Sequence, residues 1–219
     1  NPHRTALLLD AKARGIPYTD GLTMLVGQAF RAAELFTGTA LPLVKLDEIR
    51  TQIRKDTENL VLIGMPGSGK STLGDALADR LQKRFIDLDV AIEEEIGMPI
   101  PDYFARFGED AFRDVEAEQA KRYGKESGLV IATGGGIIKR EENYNALAQN
   151  GTICYLQREL EHLPTKGRPL SAGGLETLKR LYAEREPLYR KFCDYSVENR
   201  DFNTTIEKIM EGFYEHCRH

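Results

Sequence analysis

The segment that most constrains this chain is Leu60-Val-Leu-Ile-Gly64-Met-Pro-Gly67-Ser68-Gly69-Lys70-Ser71-Thr72. Gly64 to Ser71 spell G-x-x-x-x-G-K-S. An apolar run that reads as a strand precedes them and a helical pattern follows, the context that makes such a run a phosphate-binding loop. Glycines at 64, 67 and 69 let backbone N–H groups converge on phosphate oxygens with no Cβ in the way. The helix behind the loop adds the positive end of its dipole. Lys70 has the reach to bridge β- and γ-phosphates, and the Ser71 hydroxyl can hold Mg²⁺. A Gly-rich turn with an incidental lysine would explain neither flank.

The rest of the chain suits that beginning. From Asn59 onward, strands are expected at 60–63, 85–88, 129–132, 153–156 and 195–197. Helices are expected at 70–82, 109–125, 141–149, 175–192 and 204–215. Such alternation implies a parallel sheet covered on both faces, with ligands at the carboxyl ends of its strands. Upstream, residues 1–41 read as two helices, near 5–14 and 22–36, stopped by Gly15 and Gly38. In the second, Leu22, Leu25, Val26, Ala29, Ala33 and Phe36 make an apolar stripe, too small for a core of its own. Residues 42–57 form a connector with a charged helix at 46–56, and 58–219 form the main domain.

Composition narrows the function classes. The 219 residues carry a net charge of −4 and a pI near 5.7, which argues against general nucleic-acid binding but leaves room for local basic pockets. No apolar stretch is long enough to span a membrane. Cys154, Cys193 and Cys217 are odd in number and far apart, as expected of reduced thiols in a cytoplasmic protein. No secretory signal is visible, and the start at Asn1 without Met suggests the remnant of a longer polypeptide.

Other residues then qualify as partners of the phosphate loop. The strand after it ends Asp87-Leu-Asp89, and alternation places both acids on one side. One carboxylate could organise Mg²⁺ while the other approaches an acceptor hydroxyl; a solvated turn or a helix N-cap is the plainer alternative. Arg113 and Glu116 are three apart on one helix face, either a surface ion pair or a guanidinium held for a substrate carboxylate. Thr133-Gly134-Gly135-Gly136 follows a strand, where glycines let backbone amides touch a ligand. Arg168, in Lys166-Gly-Arg-Pro-Leu170, suits a flap closing over transferring phosphates. Arg185, in Arg-Glu-Pro-Leu-Tyr189-Arg190, is a second candidate carboxylate clamp or a solvated helix residue.

In this order, GMPGSGKST, DLD with Glu93, GEDAFRDVE, TGGG, RPL and REPLYR resemble shikimate kinase over residues 58–215. The resemblance implies an α/β, P-loop nucleoside-monophosphate-kinase-like fold with a five-stranded parallel sheet of order 2-3-1-4-5. It implies transfer of the γ-phosphoryl group of ATP to the 3-hydroxyl of shikimate with Mg²⁺, a cytoplasmic step of aromatic amino acid biosynthesis. Carried over by position, Gly67, Ser68, Gly69, Lys70, Ser71 and Thr72 bind ATP, with Ser71 and Asp87 at the metal. Asp89 binds the ring hydroxyls and accepts the proton. Arg113, Arg185, Gly135 and Gly136 contact shikimate, and Glu116 orients Arg113. Phe104 and Phe112 flank the ring. Arg168 closes over the phosphates and, with Lys70, positions groups and neutralises charge in the transfer, and Arg200 lies on the nucleotide side.

Residues 1–41 resemble the C-terminal end of shikimate dehydrogenase through Gly21-Leu-Thr-Met24, Gln28 and Phe36-Thr-Gly38. That family's catalytic Lys–Asp pair and cofactor loop are missing here, so dehydrogenase activity is not expected. The resemblance suggests a fused or associated dehydrogenase; the two helices are expected to pack on the kinase, on a second copy or on a missing partner, and their apolar stripe, if left bare, would be a site of self-association. The competing readings are a gluconate-kinase-like small-molecule kinase, which lacks the paired clamps with TGGG, and a non-catalytic nucleotide-binding module, against which the intact Lys70, Ser71, Asp89 and Arg168 speak.

Overall fold

Period-two alternation divides the core into two layers on either side of one sheet. In β1 (Asn59–Ile63) every residue is buried. Leu60 and Leu62 meet Leu73 and Leu77 of α4 (Lys70–Leu81) and Ile206, Ile209 and Phe213 of α9 (Phe202–Arg218). Val61 and Ile63 lie in the opposite layer with Ala120 of α6 (Ile100–Gly124), Leu147 of α7 (Glu141–Ala148), and Tyr189 and Phe192 of α8 (Gly174–Phe192). Burial on both faces is why these strands read as continuous apolar runs. The structure, a computed structural model, describes residues 2–162 and 174–218. Arg168 therefore lies outside the described residues, as does the Arg-Pro-Leu segment around it.

The sheet also contains β2 (Arg84–Asp87), β3 (Leu129–Ala132), β4 (Gly151–Gln157) and β5 (Tyr195–Glu198). Its five strands are parallel, in the order β2-β3-β1-β4-β5, the order the resemblance implies. Leu62 of β1 faces Ala132 of β3 and Cys154 of β4. Thr133 then ties the ends of β1 and β3 together, donating to the Leu62 carbonyl from its backbone at 3.2 Å and its hydroxyl at 3.0 Å. The loops after β1 and β3 thus leave the sheet side by side. Among the described residues no helix is long and apolar enough to cross a membrane.

Two expectations about local structure change. The second strand ends at Asp87, and Asp89 sits in the first turn of a helix that the hydrophobic pattern did not reveal, α5 (Leu88–Ile96). This helix buries only Leu88 and Ile92, one i,i+4 pair, too short a repeat to stand out. Strand alternation is therefore not what brings the two acids together; the Asp87 side chain caps α5 by accepting from the Asp89 N–H at 3.0 Å. The helix expected from Glu109 is present, but a further helical stretch beginning at Ile100 precedes it within α6, the two meeting in a kink at Gly108, whose φ is 85° and ψ 175°.

The N-terminal helices dock on the main domain. In α1 (Ala6–Ala13), Leu9 joins the layer containing Leu147, and the Arg4 N–H donates to the Gln149 carbonyl at 2.8 Å. Buried Glu58, just before β1, accepts from Arg4 Nη1 at 2.9 Å, from Thr152 at 2.8 Å and from Arg54 at 3.2 Å. Helix α2 (Leu22–Thr37) packs on α3 (Val44–Thr57), which packs on α9. The face α2 buries is Val26 with Phe30, not the whole expected stripe: Leu25 stays exposed and Phe36 is 90% exposed. Apolar residues surround more of this helix than one neighbour can cover.

Candidate active site

The loop from Gly64 to Lys70 connects β1 to α4 at the carboxyl edge of the sheet. Lys70 is almost buried, and its ammonium donates to the carbonyls of Gly64 and Met65, each at 2.9 Å, which aims it across the loop. Gly69 needs its missing side chain twice over: its φ is +102°, and a Cβ there would lie 2.7 Å from Asn199 Nδ2. That same nitrogen donates to the Ser68 carbonyl at 2.7 Å. Asn199, one residue past β5, thus braces the phosphate loop from behind. Sequence reasoning missed it because nothing local marks it; only the adjacency of β5 and β4 brings it there.

A cleft of about 610 Å³ opens in front of this loop. Among its walls are Gly67, Gly69, Lys70, Ser71 and Thr72 on the nucleotide-loop side, then Asp87 and Asp89, then Phe104, Phe112, Arg113, Glu116, Gly135, Gly136 and Arg185. Most of the residues singled out from sequence therefore share one cavity. Ser68, although in the same loop, is fully buried and is not among its walls. Arg200 is not brought to it: the side chain points into solvent, 73% exposed, and pairs with Glu198 at 2.9 Å. Arg158, which sequence reasoning did not select, does line the cleft, with a guanidinium nitrogen 3.4 Å from the Gly67 carbonyl.

Two arginines meet at the glycine run after β3. Arg113 is 5% exposed and donates from Nη1 to Glu116 Oε2 at 2.7 Å. Its Cζ lies 5.2 Å from the Phe112 ring and 6.0 Å from that of Phe104, within cation–π range. On its other edge, Nε and Nη2 donate to Glu109 Oε1 at 3.3 and 3.0 Å. Glu109 was missed although it stands four residues before Arg113, a spacing that could have found it. Arg185, 1% exposed, donates from Nη1 to the Gly135 carbonyl at 3.0 Å. Tyr189, one turn later, donates to the same oxygen at 2.6 Å. Burial pushes the Tyr189 hydroxyl up to about 12, with Arg185 pulling the other way, so it stays a donor.

Burial pushes the Glu116 carboxyl up, Arg113 opposes this, and the nearby Asp89 charge adds to the rise. Among the described residues, Arg185 Nε is buried without a hydrogen-bond partner, a rare condition unless a ligand completes it. The glycine run is the hinge of this geometry. A Cβ at Gly134 would lie 2.6 Å from Asp89 Oδ1, one at Gly135 2.6 Å from Pro66, and one at Gly136 2.3 and 2.4 Å from Arg113 Nη1 and Nη2. Gly136→Ala is accordingly expected to displace the Arg113 guanidinium and raise the KM for the acceptor about 10- to 100-fold, with the KM for ATP within twofold. Steady-state kinetics with each substrate varied in turn checks this.

Comparison with known proteins agrees with the geometry. The shikimate kinase family matches residues 66–218. A shikimate kinase of Clostridium botulinum (strain Eklund 17B / Type B) is 40% identical over 155 residues, covering 69% of this chain and 92% of that relative. A shikimate kinase of Nitrobacter winogradskyi is 43% identical over 150 residues, covering 65% of this chain and 70% of the relative. Among solved structures, shikimate kinase from Acinetobacter baumannii in complex with shikimate superposes with a TM-score of 0.67 at 29% identity, covering 76% of this chain and 98% of that one. Shikimate kinase from Aquifex aeolicus gives 0.65 at 31% identity, with 72% and 97% covered.

Proposed function

Because the chain belongs to the shikimate kinase family and is a kinase acting on shikimate, we propose that this one cleft seats both ATP and shikimate face to face, with Asp89 between the phosphates and the acceptor ring. The observation that carries this reading is the convergence of Arg113 and Arg185 on one glycine run across from the phosphate loop, with Arg185 Nε unpartnered among the described residues. A ring bearing one carboxylate and several hydroxyls needs cations at one end and an acceptor at the other. Arg113 and Arg185 supply the first, by charge-assisted hydrogen bonds to the carboxylate. Since the Gly135 carbonyl is committed to α8, a ligand contact at Gly135 comes from its N–H.

Transfer to the 3-hydroxyl then needs little covalent chemistry from the protein. The loop amides and Lys70 hold the triphosphate in place, and Asp89 orients the hydroxyl and takes its proton as the oxygen attacks the γ-phosphorus in line, ADP leaving with the electron pair of the broken P–O bond. Ser71 and Asp87, two oxygen donors in the same cleft, fit Mg²⁺, which favours oxygen ligands and completes its shell with phosphate and water. When bound, the metal neutralises phosphate charge. Arg168 joins this reading on sequence alone, as the closing arginine. The first two helices lie outside the family match; the resemblance of residues 1–41 to a dehydrogenase C-terminus supports reading them as a docked appendage with no chemistry of its own.

The test is ADP release by the purified chain with ATP and Mg²⁺, with and without shikimate. Shikimate should raise the rate at least about 100-fold, the scale that proton acceptance and positioning together supply. A rate indifferent to shikimate would leave a nucleotide-binding module in its place, and a preference for gluconate would assign a different acceptor.

A further inference from the structure

A guanidinium offers a carboxylate two bidentate edges, the side formed by Nε with one Nη and the end formed by both Nη groups. In Arg113 the end is closed. Nη1 donates to Glu116, and Gly136 stands so near that a Cβ there would touch both terminal nitrogens. The side edge is held by Glu109 Oε1. The two acids are not equivalent. Glu116 is 1% exposed, whereas the Glu109 side chain is 47% exposed and shares Oε1 with Lys139 Nζ at 2.8 Å. Glu109 also follows directly on the break in α6 at Gly108. It therefore has room to leave and a second cation to hold it.

We propose that Glu109 is a built-in competitor for the substrate carboxylate: it occupies the side edge of Arg113 in the free enzyme, moves onto Lys139 when shikimate enters, and thereby sets the affinity for that substrate. This rests on the reading of Arg113 as a carboxylate clamp. One carboxylate replaces another, so the charge facing Arg113 is conserved, and the side edge of the buried guanidinium keeps an acceptor between turnovers while Glu116 stays on Nη1. Contact with Lys139 first, and with Arg113 second, holds the Glu109 carboxyl below its usual range, so it competes as an anion at neutral pH. The cost of displacing Glu109 falls on ligands that use Arg113 and not on ATP.

Isothermal calorimetry of shikimate and of ADP binding, with kinetics alongside, tests this on the full chain. Glu109→Gln is expected to bind shikimate about two- to fivefold more tightly, the scale of one partly exposed ion pair, with a matching fall in shikimate KM and with ADP affinity and kcat unchanged. Lys139→Ala should weaken shikimate binding, and this effect should shrink in the Glu109→Gln background, since the two act through one contact. Arg113→Ala is the control for the clamp. If it weakens shikimate binding but Glu109→Gln leaves it unchanged or weaker, the clamp stands and the competitor is overturned. If Arg113→Ala leaves shikimate binding intact, clamp and competitor both fall.

Discussion

Asp89→Asn is expected to lower kcat by about 10²- to 10⁴-fold, the usual scale of a positioned base, while both KM values stay within about threefold. The asymmetry follows from the isostere. Asparagine keeps an oxygen in the same place, so the hydroxyl can still be held, but it takes no proton at neutral pH. Asp89 sits in the first turn of α5, with the preceding backbone fixed by the Asp87 cap and its carboxylate against the Gly134 backbone, so the amide should occupy the same position. Phosphoryl transfer passes through a loose transition state in which the attacking oxygen is still weakly bonded, which places the effect nearer the lower end of the range. Rapid-quench measurement of the first turnover separates this step from product release. Turnover within threefold of wild type would remove Asp89 as the proton acceptor.

Arg113→Ala is expected to raise the shikimate KM by about 30- to 1000-fold, since truncating one member of a buried, hydrogen-bonded charge pair costs about 2–4 kcal/mol, while the ATP KM stays within twofold. Two losses combine. The substrate carboxylate keeps only Arg185, and Glu116 is left buried without its hydrogen-bonded cation, the larger of the two that oppose its desolvation. The second loss lowers Tm as well, so thermal unfolding belongs beside the kinetics. Lysine does not restore the site: an ammonium cannot serve Glu116 and a second carboxylate with the planar fork that Arg113 uses. An equal rise in both KM values would mean that Arg113 supports the fold around the cleft rather than gripping one substrate.

How much of this was legible in the residues depended on range. The phosphate loop was readable because its donors lie within eight positions between a strand and a helix. The sheet was readable because doubly covered strands are apolar without interruption. Arg113 with Glu116 was readable from helical spacing, and the same rule extended one turn back would have found Glu109. Strand alternation was the wrong reason for pairing Asp87 with Asp89, and the helix N-cap offered as its alternative was the right one: the acids lie together through a capped helix turn. Helix α5 escaped notice because it buries a single i,i+4 pair.

Other features had no local signal at all. Asn199 reaches Ser68 across 131 residues, Tyr189 reaches Gly135 across 54, and Arg4 reaches Glu58 across 54. Likewise α2 carries apolar residues around much of its circumference, and only tertiary packing selected Val26 and Phe30 for burial. The amino-acid order by itself determined the architecture, the nucleotide loop and the chemical types gathered at the strand ends, since these follow from backbone freedom, side-chain period and charge within a few turns of chain. Tertiary structure alone decided which cation faces which carboxylate, which carbonyl receives two donors, and which helix face meets a neighbour. Periodicity tells a side chain which way to point but not what it will find there.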